Sequence, residues 1–150
     1  RYLNEGRFMK DARNARFGFK LASYFAKKDY NNPVEAGYKM MGKLPRNIIF
    51  LKRDQDLKVR GYQLGAHGDK GPGGGYGSML SKENDWGKSI SGHVHKAQIL
   101  RDTYTVGTMM PLTPYYMRGH PSDFSHTHGF LWDTGTVQLV NIIDGKYRNK

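Results

Sequence analysis

Apolar residues recur at every third or fourth position from Tyr2 to about Lys28, the spacing that predicts an amphipathic helix. Phe8, Ala12, Ala15 and Phe19 share one face, and Phe17, Leu21, Tyr24 and Phe25 extend it. Lys10, Arg13, Arg16, Lys20 and Lys27 decorate the remainder, and Gly6 and Gly18 interrupt the pattern. DYNNP (Asp29 to Pro33) reads as a turn, a short helical patch runs from Val34 to Met41, and Pro45 ends it. Further on the character changes to strands. NIIFL (Asn47 to Leu51) and LKVRGYQLGAHG (Leu57 to Gly68) read as strands joined by the polar turn KRDQD, and a glycine-rich loop, DKGPGGGYGS, follows. A short segment containing Trp86 precedes the strand SISGHVH, then AQIL and TYTVGTMM. FSHTHGFLWD and TVQLVNIID flank DTGT and predict a hairpin. No internal repeat is visible. Helices come first and strands after, so the fold class is α/β with a sheet-rich C-terminal half. Residues 1–46 form a basic helical segment and 47–150 the sheet-rich part of the same domain.

Composition narrows the chemistry. A chain of 150 residues, 37% hydrophobic, suffices for one domain with its own core. It has no apolar run long enough to span a membrane and no signal-peptide pattern, so no membrane partner is expected. With no cysteine, disulfides and thiolate metal sites are excluded, and a metal would need imidazole, carboxylate, amide oxygen or water. The net charge of +11 is unevenly placed: residues 1–60 carry 15 Lys and Arg against 6 Asp and Glu, residues 61–150 carry 9 against 7. A basic end of this kind suits a polyanion, nucleic acid first, because each neutralised phosphate releases counterions; a solvated helix face is the plainer alternative. The chain opens on Arg1 with an amphipathic segment already under way, as a piece of something longer would.

Two histidines one residue apart follow a glycine in KSISGHVHKAQIL (Lys88 to Leu100). In an extended segment residues two apart point to the same side, so His93 and His95 could present two imidazoles to one centre, with Gly92 allowing the backbone to turn. His67, in LGAHGDKG, ends another predicted strand. Strand ends carrying histidines suit a site at the carboxyl edge of a sheet. Gly71, Gly73 and Gly74 belong to the loop that starts there, and glycines permit close backbone approach to a phosphate.

The succession HGDKGPGGGYGS, GHVHKAQI, YTVGT, HTHGFL and VNIIDGKY resembles calcineurin-like metallophosphoesterases, in particular those of tailed phages implicated in DNA transfer and host DNA degradation. The likeness covers roughly residues 47–148, most specifically Gly65 to Thr108. It implies the C-terminal half of a β-sandwich flanked by helices, with His67 and His93 as ligands of one metal and His95 of a second. Implied with it are two divalent ions (manganese first, with magnesium, iron or zinc as alternatives), phosphodiester hydrolysis of DNA, and a host-cell cytoplasmic location. The family's Asp-x-His, Gly-Asp and Gly-Asn-His motifs precede the HG motif and have no counterpart between Arg1 and Asp56. The missing N-terminal half of the same protein is therefore an expected partner, self-association stays open, and the 150 residues alone are expected to bind at most one ion and to be inactive.

Other residues carry weaker signals. His126 and His128 form a second HxH on one strand face and, with Arg118, are candidate substrate contacts. His120 sits in a loop. Asp123 could orient a histidine or simply form a turn. MMPLTPYYM (Met109 to Met117) reads as core or as a stacking surface through Tyr115 and Tyr116. Two rival readings remain. One is a mononuclear cupin-like metalloprotein, which would want a glutamate shortly after the HxH where Lys96 to Leu100 stand. The other is a basic DNA-binding or structural module without catalysis.

Overall fold

In the computed structural model, which describes residues 6–10, 12–28, 32–42, 44–45, 47–52, 55–71 and 77–148, the chain divides into two units, Arg1–Arg53 and Asp54–Lys150. The described residues form three α-helices and two sheets, a mixed α/β composition. No described helix is long and apolar enough to cross a membrane.

In the first unit a 3-10 turn (Arg7–Lys10) leads into α1 (Ala12–Lys28) and then α2 (Pro33–Met41). Local chemistry starts α2: proline occupies its first turn, and the Asn32 side-chain oxygen accepts from Val34 N at 2.9 Å and Glu35 N at 3.3 Å, satisfying amides that have no partner inside the helix. Gly18 and Leu21 are the buried positions of α1, and Leu21 Cδ1 lies 3.7 Å from where a Cβ would stand on Gly37. Small residues let the helix axes approach, so the seam selects glycine and alanine over the expected Phe19 face; Phe19 is 58% exposed. The Phe8 side chain and turn residues 29–31 lie outside the described set. Asn47–Leu51, predicted as a strand, makes no ladder. Among the described residues its unit offers no strand to pair with. Instead Asn32 Nδ2 donates to Leu51 O at 3.1 Å and the Phe50 ring sits 6.0 Å from that of Tyr38.

The second unit holds both sheets. One runs in the order β1 (Lys58–Val59), β2 (Tyr62–Gln63), β3 (Ser89–Ser91), β5 (Thr103–Thr105), β4 (Gln98–Leu100). The other consists of β6 (Thr127–Leu131), β7 (Val137–Ile143) and β8 (Lys146–Arg148). The single strand expected over Leu57–Gly68 is a tight hairpin, because Arg60 (φ 51°) and Gly61 (φ 81°) both turn left-handed, the geometry that matches strand twist in two-residue loops. From β2 the chain crosses through α3 (Met79–Trp86) to β3, which lies parallel to β2 with Gln63 opposite Ser89. Strand β3 is also parallel to β5, and β4 folds back antiparallel on β5. The segment around Trp86 is thus the crossover helix, capped by Ser78 Oγ accepting from Ser81 N at 3.1 Å.

The hairpin read from FSHTHGFLWD and TVQLVNIID is present, with Thr127 opposite Asn141 through Leu131 opposite Val137. The two sheets meet where Gly107 N donates to Thr127 O at 3.0 Å and Thr108 N to Ser125 O at 2.8 Å. A Cβ on Gly107 would fall 1.8 Å from Ser125 O, so only glycine fits there. Gly129 faces the other sheet, 3.2 Å from Val106 and 3.3 Å from Ile90 at its would-be Cβ. The interior is unusually polar: Ser89, Thr103 and Thr105 are fully buried, and the two threonine hydroxyls donate to Gly87 O at 3.1 Å and Lys96 O at 2.9 Å.

Candidate functional site

Parallel strands β2 and β3 end side by side, and the chain that leaves each carries a histidine. Gly92 N donates to His67 O at 3.2 Å and ties the two exits together. Above this link His93 Nδ1 stands 3.3 Å from His67 Nε2, with the rings edge to face at 75° and centroids 5.1 Å apart. Without a metal, one of these nitrogens holds a proton and the other accepts it. The same spacing suits two ligands of one tetrahedral ion, which with bonds of about 2.0–2.1 Å stand roughly 3.3 Å apart.

The backbone at GHVH is not the extended strand that the alternation argument assumed. Left-handed conformations fall on His93 (φ 76°) and His95 (φ 59°), not on Gly92. Val94 N donates to Gly92 O at 3.0 Å, which closes a γ-turn with His93 at its apex, a conformation rare for a residue bearing a side chain. His95 consequently leaves the shared face. Its ring meets Phe124 edge-on at 4.8 Å and 89°, while its carbonyl accepts from Ser125 N at 3.0 Å. Next to it Lys96 contacts the Asp123 carboxylate, holding that carboxyl below its ordinary range; Asp123 therefore anchors the loop rather than orienting a histidine. Of the three expected metal histidines, two are together. Among the described residues no three His, Asp or Glu side chains converge on a point that could hold an ion.

The approach to His67 is braced from below. Gln63, almost fully buried, donates to Asp56 Oδ1 at 2.9 Å and accepts from Gly65 N at 2.8 Å. Gly65 presses on Gln55 O, 2.3 Å from its would-be Cβ. A cleft of about 200 Å³ opens here, walled by Asp56, His67, Asp69, Lys70 and Trp86 among others. Asp56 and Asp69 were not singled out in sequence as neighbours of His67, because neither sits in a recognisable ligand pattern.

Beneath the cleft lies the residue that the sequence concealed. Lys82 on α3 is 1% exposed; its Nζ and the hydroxyls of Ser81, Ser89 and Ser91 are buried without a hydrogen-bond partner among the described residues. Gly68 (φ 93°) makes room for it: a Cβ there would stand 2.9 Å from Lys82 Nζ and 3.0 Å from Ser91 Oγ. Burial pushes the Lys82 amine below the ordinary lysine range. Gly71 in turn packs on Ser81, 2.6 Å from its would-be Cβ, fixing one root of the glycine loop; Gly73 and Gly74 lie outside the described residues.

The remaining candidates lie apart from the histidine pair. His126 Nε2 reaches Met110 O at 2.8 Å, and His128 stands on β6 opposite Val140. Arg118 and His120 are exposed after a 3-10 turn, Tyr115–Met117, and the Tyr116 hydroxyl reaches Met110 S at 3.7 Å.

No protein-family profile matches the chain, and no solved structure does. Over 121 residues it is 31% identical to Protein A1 of Escherichia phage T5, a stretch that covers 81% of this chain and 21% of that protein. The chain thus spans about a fifth of the length of this relative, and its sequence is similar to that part of a phage protein.

Proposed function

We propose that the chain is part of a metal-dependent phosphodiester hydrolase acting on DNA, of the metallophosphoesterase kind. The observation that carries the reading is the convergence of His67 Nε2 and His93 Nδ1 to 3.3 Å at the carboxyl ends of two adjacent parallel strands. The pair fits two positions of one divalent ion, manganese by the resemblance. The other ligands, carboxylates above all, come from chain beyond these residues, as the resemblance implies. When bound, the metal would supply Lewis acidity toward a phosphoryl group.

The protein's own groups do the rest. Braced by Gln63 and the γ-turn, the two imidazoles are held ready to bind. The exposed cations Arg13, Arg16, Lys20 and Lys27 of α1 draw in the polyanion. The basic α1 face also supports a second reading, a DNA-binding module without hydrolysis.

Replacing His93 by Ala in the full-length protein separates the two. Loss of metal-dependent cleavage with DNA binding retained is expected; unchanged cleavage would exclude the hydrolase reading. For the 150 residues alone, native mass spectrometry with manganese is expected to find no more than one bound ion, since imidazoles without a bridging carboxylate cannot neutralise two divalent cations.

A further inference from the structure

Phe124 stands between two environments. Its ring meets His95, two residues beyond His93, edge-on at 4.8 Å, and it also lines a second cavity of about 420 Å³. Leu112 and Ile142 contribute further apolar wall, and His126, Asn141 and Asp144 contribute polar groups. Such a volume is in the range of pockets that take small organic ligands. The Asp144 carboxylate makes it a poor place for a phosphate.

The polar groups have definite roles. His126 Nε2 lies 2.8 Å from Met110 O. A carbonyl can only accept, so Nε2 holds the proton and Nδ1 of the neutral ring keeps its lone pair as an acceptor. Asn141 Oδ1 accepts from Thr127 Oγ1 at 2.9 Å, which leaves its amide hydrogens as donors. An aromatic ring, apolar walls, one acceptor and one amide donor match a planar heterocycle whose edge carries both kinds of group.

We infer that this cavity seats an unpaired nucleobase of the strand whose phosphate approaches the His67–His93 pair. The choice of ligand rests on the phosphodiester reading above. Phe124 offers the stacking surface, and its contact with His95 couples base seating to the histidine segment. A base paired inside a duplex cannot enter such a pocket without leaving its stack, so the site would favour single-stranded or frayed DNA.

The test is binding of the 150-residue chain, in EDTA, to two dye-labelled 12-mers of equal charge, one of thymidines and one abasic throughout. Fluorescence polarisation is expected to show about tenfold tighter binding of the base-bearing strand, the size of one good stacking contact. Leu112→Trp, at the partly exposed rim, fills the cavity and is expected to abolish the preference; Phe124→Leu removes the stacking ring and is expected to weaken it. Equal affinity for both strands, binding of neither, or a preference that survives Leu112→Trp would overturn the inference. A preserved preference in wild type alongside a full-length protein that cleaves nothing would overturn the hydrolase reading and leave the base site standing.

Discussion

A left-handed backbone at a residue with a Cβ costs about 1 kcal/mol or more, and His93 holds one at the apex of its γ-turn. His93→Gly should therefore unfold at higher urea concentration than His93→Ala, by about 1 kcal/mol, although both lose the imidazole. Equal stabilities would mean that the turn relaxes once the ring is gone. Lys82 poses the opposite problem, a cation kept from water. Its folded-state pKa lies below the ordinary 10.5, so between those two values the unfolded chain binds more protons than the native one, and stability rises with pH through that window. Below it the penalty is fully present. Lys82→Met should erase this alkaline rise and stabilise the chain near neutral pH by about 1–3 kcal/mol, read from urea midpoints between pH 7 and 10. The two residues also mark how far sequence reaches. The closeness of His67 and His93 was legible because each ends a predicted strand beside a glycine. The turning of His95 onto Phe124 was not, since it follows from φ values on residues that rarely adopt them. Lys82 was invisible: a lysine in MLSKENDW looks like any solvated helix position.

Among elements, the β6–β7 hairpin was legible because two strand-like segments flank the turn signal DTGT directly. The β1–β2 hairpin was missed because Arg60 shares the left-handed turn with Gly61, and arginine gives no turn signal. Strand Asn47–Leu51 was overcalled because no described segment of its unit pairs with it, a fact that no local pattern contains. Where the sheets join, Gly107 leaves no space for a methyl group, whereas Gly129 stands 3.2 Å from the nearest side-chain atom. Gly107→Ala is accordingly expected to destabilise by about 3 kcal/mol and Gly129→Ala by about 1 kcal/mol, with thermal unfolding as the readout. Equal effects would show that Ser125 yields as easily as Val106 does.

At the scale of the whole molecule the charge lies with the first unit. Arg13, Arg16, Lys20 and Lys27 are all exposed, and at 100° per residue they fall on one stripe of α1. Replacing Arg16, Lys20 and Lys27 by Gln should weaken duplex DNA binding and reduce the slope of log K against log salt by about two to three; an unchanged slope would move the contact to another surface. Basic composition was plain in the sequence, and so were helices before strands. The division after Arg53 was not, because Asn47–Leu51 is written like a strand and packs with the helices. The parallel pairing of β2 with β3 also has a consequence in time. Its one registered pair, Gln63 with Ser89, closes only after α3 has been traversed, whereas the β4–β5 and β6–β7 hairpins close locally. Long closures lag behind short ones during folding. The histidine pair would thus be among the last features to assemble in each folding event, and a strand pairing this short would be among the first to let amide hydrogens exchange.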